Sequence, residues 1–251
     1  MSTVELTVEG GVGVISLNRP HRHNAVDDEL HKELLRIWAA VQADPDVRVV
    51  VLRGNGPSFC SGRDTAQLGE RVAGESDLSF IRRHQRTRID QLDSPKPVIA
   101  AVRGAVLGGG LEMALAADIR IAASDVAMGF PEIRYGLMTD TGGSGLATAL
   151  AGPSRAKLML MTGRRIDAGQ ALAWGLVDQV VAPAELDDVS FSLAIEIAGH
   201  STAALTMLKA TVDGVWHGQL HTALRAELLA QVALFGSEDY RARKPGPGRN
   251  E

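Results

Sequence analysis

Three times along this chain a short apolar run empties into a glycine-containing loop, at 53–64, 104–110 and 141–145, and two of those loops open directly into a helical pattern. Short apolar runs bounded by glycine or proline read as buried strands. Strands that alternate with helices in this way predict an α/β fold. Glycine fills 27 of the 251 positions, against roughly 7% in an average chain, so the position of each glycine loop carries information. A glycine loop at a helix start exposes backbone N–H groups toward an anion or a developing oxyanion.

The order of elements follows from the same patterning. Val4, Leu6 and Val8 alternate with polar residues, Gly10-Gly11 interrupts, and Val12, Val14, Ile15 and Leu17 resume, which predicts an opening hairpin. Leu30, Leu34, Ile37, Trp38 and Val41 fall at helical spacing behind Asp27, Asp28 and Glu29, acids that favour a helix N-terminus. Strands are predicted over 47–52, 97–102, 119–122 and 127–130, with a helix over 111–117 and another after the loop 141–145. Two later strands, near Arg164-Arg165-Ile166 and 177–181, bracket a helix over 168–175. The charged segment 70–93 shows weak periodicity, and from Ala184 the chain reads as mainly helical. The tail 241–251, rich in basic residues, proline and glycine, is expected to be mobile.

Bulk properties narrow the function classes. A net charge of −4 and a pI near 6.0 argue against a duplex nucleic-acid binder. A lone Cys60 leaves neither an internal disulfide nor a thiolate metal cluster, and the first residues lack a signal-peptide pattern, so a cytoplasmic setting is expected. The most apolar region, 97–123, is broken by Arg103, Glu112, Asp118 and Arg120, so no membrane partner is expected.

Several chemistries fail on their motifs. None of the glycine loops carries the Lys-Ser/Thr of a phosphate loop, and Gly108-Gly109-Gly110 lacks the third small residue of a dinucleotide site. Ser144 lies outside nucleophile-elbow spacing. His21 and His23 have no third ligand at sensible spacing, and Cys60 has no evident base, so no metal site and no thiol nucleophile are expected. The acids are more informative. Glu112 emerges from the first turn behind the triple glycine, inside an apolar run where a carboxylate must be paired, hydrogen-bonded or functional. Glu132 follows Pro131 at a strand end, and Asp140 precedes Thr141-Gly142-Gly143, a position suited to an ordinary helix N-cap.

Leu17-Asn18-Arg19-Pro20 with Asn24-Ala25, Phe59-Cys60-Ser61-Gly62-Arg63-Asp64, Ala105-Val106-Leu107-Gly108-Gly109-Gly110-Leu111-Glu112, Ala117-Asp118-Ile119-Arg120-Ile121-Ala122 and Phe130-Pro131-Glu132 occur in a specific order. Together they resemble the enoyl-CoA hydratase/isomerase (crotonase) superfamily. That resemblance implies a crotonase-like spiral of ββα units over 1–183 that binds acyl-CoA. A helical region over 184–251 would then serve oligomerisation and closure of the acyl pocket, as a homotrimer or dimer of trimers.

The resemblance also implies roles. Backbone N–H groups of Arg63 and Gly109 would polarise the thioester carbonyl, because family chemistry passes through an enolate-like thioester whose oxygen gains charge. Arg22, Ala25, Ser61 and Arg63 would hold coenzyme A, which is part of the substrate, so no separate cofactor is expected. Glu112 would position and activate water and Glu132 would supply the α-proton of a hydratase. Asp140 departs from the hydratase pattern and matches dienoyl-CoA isomerases, which keeps that activity as an alternative. A third reading is a non-catalytic acyl-CoA-binding protein. The segment 70–93 is expected to shape the acyl pocket.

Overall fold

A computed structural model describes residues 2–68 and 70–244. The opening hairpin forms as its alternation predicts: β1 (Val4–Glu9) pairs antiparallel with β2 (Val12–Leu17), and Gly10 and Gly11 turn the chain at φ of +58° and +84°. Helix α1 (Asp28–Ala43) starts where Asp27 accepts a hydrogen bond from the Leu30 N–H, and buries Leu30, Leu34, Ile37, Trp38 and Val41. Next come β3 (Val49–Gly54), α2 (Asp77–Leu92), β4 (Val98–Val102), β5 (Ala105–Leu107), α3 (Gly109–Leu115), β6 (Ile119–Ala123) and β7 (Ala127–Gly129). The chain continues through α4 (Gly143–Ala151), α5 (Pro153–Thr162), β8 (Arg165–Asp167), α6 (Ala168–Ala173) and β9 (Gln179–Val181). It closes with α7 (Leu186–Ala198), α8 (Thr202–Asp213), α9 (His217–Phe235) and α10 (Glu238–Arg243).

Nine strands form two sheets among the described residues. The larger runs β1-β2-β3-β4-β6-β9 and is parallel from β2 onward; the smaller runs β5-β7-β8. Three strands of the large sheet, β3, β4 and β6, leave it with a continuation that enters, or bridges to, the small one. β4 is followed by β5 and β6 by β7, while Cys60, beyond β3, bridges to Val106 of β5. This stepwise shift is the expected spiral of ββα units. One face of the large sheet packs on α1 and the central helices around Trp38, Leu52, Leu111 and Leu115. The other is covered by α7 through Leu186, Ala194 and Ala198.

Four local expectations change. The charged segment 70–93 contains a 16-residue helix, α2, capped by Ser76. The strand over 97–102 is followed by a separate short strand, β5. The two late strands β8 and β9 join different sheets and do not pair with each other. In the tail, residues 241–243 belong to α10, whose N-terminus Ser237 caps; residues 245–251 lie outside the described part of the chain. Among the described residues no single helix is long and apolar enough to cross a membrane.

Candidate active site

The two glycine loops that open helices meet around one cavity of about 140 Å³, lined by Ser61, Arg63, Gly109, Glu112, Glu132 and Asp140 among others. Gly108, at φ +52°, lets the chain turn from β5 into α3. A helix leaves its first amides without intrahelical partners, so the Gly109 N–H at the start of α3 is free of the helix ladder. The loop after β3 runs alongside. A Cβ placed on Gly62 would lie 2.8 Å from the Leu107 carbonyl oxygen and 3.5 Å from the Gly109 nitrogen. Gly62 therefore lets the 62–63 backbone approach the helix start, bringing the chain before Arg63 close to the Gly109 amide. Among the described residues the Arg63 amide donates to no backbone group, whereas its neighbours Ser61 and Asp64 donate to His23 and Val26.

Glu112 and Glu132 flank this helix start. A Cβ on Gly109 would lie 3.7 Å from Glu112 Oε2, and one on Gly108 would lie 2.5 Å from Glu132 Oε1. Glu112 is 1% exposed and fully engaged with the second glycine loop. Its Oε1 accepts from the Thr141 N–H at 2.9 Å and the Gly143 N–H at 2.8 Å, and its Oε2 from the Thr141 hydroxyl at 2.5 Å. Glu132 sits on the 3-10 turn Pro131–Tyr135, and its Oε2 is shut from solvent with no partner among the described residues. Burial first, and then the charge of Glu112, pushes the Glu132 carboxyl well above the usual carboxylate range. One wall thus presents a carboxylate held by donors, the other a carboxylic acid.

Asp140 is a third acid in the same cavity. Burial, with the charges of Glu112 and Glu227, raises it to about 8. The N-cap role expected for it is absent: α4 begins at Gly143 behind Gly142, without a side-chain cap of its own. Two distant carboxylates satisfy those amides instead. Glu112 takes Thr141 and Gly143; Glu227, from α9, takes Gly142 at 2.6 Å and Ser144 at 2.8 Å.

The remaining candidates divide. Ser61 lines the cavity, whereas Arg22 and Ala25 do not. The Ser61 hydroxyl lies 3.5 Å from the Arg22 carbonyl oxygen. The Arg22 side chain is exposed. The Arg63 side chain donates to His84 and, at 3.2 Å, to Asp28, and its charge also acts on Asp140.

Sequence reasoning missed Glu227, Gln231, His84 and Arg88. Phe80, His84, Thr87 and Arg88 of α2 line the cavity at helical spacing, so the segment 70–93 does supply part of its wall. Arg88 is 3% exposed, reaches Gln91 and the Gly109 carbonyl, and is lowered to about 10 by burial. His84 is held neutral by burial and by Arg63, which favours acceptance at Nε2 from Arg63 while Nδ1 faces the Phe80 carbonyl at 2.8 Å. The signal available for Glu227 was its place on the Leu220, Leu224, Glu227, Gln231 stripe of α9, where a buried acid breaks an apolar face.

Two sheets stepped through ββα units, with three acids lining the cavity at the glycine turn into α3, define a crotonase-fold protein. Comparison with known proteins agrees, because the enoyl-CoA hydratase/isomerase family model matches residues 7–247. The chain belongs to that family, whose members act on acyl-CoA thioesters. It is 34% identical to the short-chain-enoyl-CoA hydratase of Clostridium acetobutylicum over 95% of this chain and 92% of that protein. It is also 35% identical to the 1,2-epoxyphenylacetyl-CoA isomerase of Escherichia coli, over 93% of this chain and 90% of that protein. The structure superposes on an enoyl-CoA hydratase/isomerase from Xanthobacter autotrophicus with a TM-score of 0.89 at 32% identity, covering 96% of this chain and 91% of the other.

Proposed function

We propose that this protein is an enoyl-CoA hydratase that adds water across the 2,3 double bond of a trans-2-enoyl-CoA to give a 3-hydroxyacyl-CoA. The observation that carries this reading is the pairing of a donor-held carboxylate, Glu112, with a carboxylic acid, Glu132, on either side of the Gly109 amide. The thioester oxygen accepts hydrogen bonds from the Arg63 and Gly109 amides, which stabilise the charge it gains. Glu112 takes a proton from water as the water oxygen bonds to C3, and Glu132 delivers its proton to C2. The products balance as one water added, and the proton left on Glu112 returns to Glu132. Coenzyme A belongs to the substrate, and its adenosine phosphates would meet Arg22 outside the cavity, past Ala25, Ser61 and Arg63.

A second reading rests on Asp140. As a third acid in the cavity, protonated at neutral pH, it supplies what a dienoyl-CoA isomerase needs to carry a proton along a diene. Three measurements separate the readings. Loss of the conjugated thioester absorbance of crotonyl-CoA supports hydration. A rapid conjugation shift of a 3,5-dienoyl-CoA that disappears in Asp140→Asn supports isomerisation, and tight CoA binding without turnover of either points to the non-catalytic reading. We further propose assembly as a homotrimer or dimer of trimers.

A further inference from the structure

The start of α4 carries four successive backbone amides, and two buried carboxylates from distant elements divide them alternately. Thr141 and Gly143 donate to Glu112, while Gly142 and Ser144 donate to Glu227. Glu227 also accepts from the Thr139 hydroxyl at 3.0 Å and the Ser144 hydroxyl at 2.5 Å, and is 1% exposed. One turn further along α9, Gln231 accepts from the Met138 N–H at 3.2 Å and faces Asp140 at 3.4 Å. From the other side Gln85 of α2 donates to the Asp140 carbonyl at 2.8 Å and the Leu224 carbonyl at 2.9 Å.

We infer that Glu227 is a positioning residue for Glu112: by fixing Gly142 and Ser144 it sets the direction of the Thr141 and Gly143 donors, and through them the catalytic carboxylate. The two acids take alternate amides of one turn, so neither set of bonds can rotate without the other. A carboxylate is required at 227 because four donors need two accepting oxygens. Glutamine offers one oxygen and turns an NH2 group against an N–H that must donate. Burial and the charge of Glu112 raise Glu227 to about 7, as expected for two carboxylates on one short loop.

The proposal rests on Glu112 acting in catalysis, and the test separates the two. In Glu227→Gln, turnover of crotonyl-CoA should fall about ten- to hundredfold in kcat, the scale of a misplaced catalytic group, with KM within about twofold. In a Glu112→Gln background the same change should cost nothing further. Equal losses in both backgrounds, or an unchanged kcat, overturn the inference. Should Glu227→Gln fail to fold, Ser144→Ala removes one donor and should show the same background dependence at about threefold. If crotonyl-CoA is not turned over by wild type, only the hydratase reading falls, and the cycle is run with the dienoyl substrate. Amide hydrogen exchange gives a readout independent of any substrate: Glu227→Gln should speed exchange at Thr141 and Gly143, which it does not touch. Acceleration confined to Gly142 and Ser144 overturns the inference.

Discussion

Glu112 and Glu132 share a cavity, and the proposed mechanism gives them opposite tasks. Replacing either with glutamine removes a proton-transfer group, and kcat for crotonyl-CoA should fall about 10²- to 10⁴-fold in each variant. Activity that survives both changes would sink the two-carboxylate mechanism. With Glu132 as the proposed acid and its carboxyl raised, kcat should decline on the alkaline side as Glu132 loses its proton. Asp140 gives a stability prediction with a definite sign. Folded, it holds its proton up to about 8; unfolded, it releases it near 3.8. The folded state therefore binds more protons between those values, and Asp140's contribution to stability falls as pH rises across that window. Asp140→Asn removes the dependence, so its melting temperature should gain on wild type from pH 5 to pH 8; an unchanged gap would refute the raised carboxyl. At this scale the sequence was readable where an acid follows a glycine loop, as Glu112 does. For Glu227 it offered only an acid breaking the apolar stripe of α9, because its partners at 142 and 144 lie more than eighty positions away.

Among the elements, the start of α3 shows how closely glycine is needed. A Cβ at Gly110 would overlap the Cys60 carbonyl, whereas one at Gly109 meets only Glu112 Oε2 at 3.7 Å. Gly110→Ala should cost about 3 kcal/mol in a denaturant melt, as overpacking does. Gly109→Ala should stay within about 1 kcal/mol of wild type by the same measure, since no backbone blocks the added methyl. The larger Gly109→Val should fold and lose hydratase activity by obstructing the thioester; full activity would remove Gly109 from the oxyanion pair. The hairpin, α1 and most strands of the spiral were legible because their buried positions are apolar and regularly spaced. Helix α2 was not, for a physical reason: its buried face includes His84, Gln85, Thr87, Arg88 and Gln91. Those residues point at the cavity and at neighbouring carbonyls, so the contrast that marks an amphipathic helix is lost. Strand β5 was hidden for a different reason. It is three residues long and owes its pairing to β7 and the Cys60 bridge, which are distant in sequence.

For the whole molecule, the proposed assembly has a visible correlate in α8 and the segment after it, where Met207, Leu208, Val212 and Val215 are 71%, 65%, 56% and 84% exposed. Contiguous exposed apolar side chains mark association surfaces. Light scattering should give three or six times the 26.6 kDa chain mass, and Leu208→Glu should lower it; a monomeric wild type would contradict the proposal. The grip of α9 on the loop before α4 has a consequence for biosynthesis. Chains fold from the N-terminus as they are made, so the residues of the oxyanion pair and all three cavity acids leave the ribosome before the helix that fixes their loop. A chain stopped before α9 can hold the residues of the proposed site without their geometry, and the proposed turnover waits until α9 has been made.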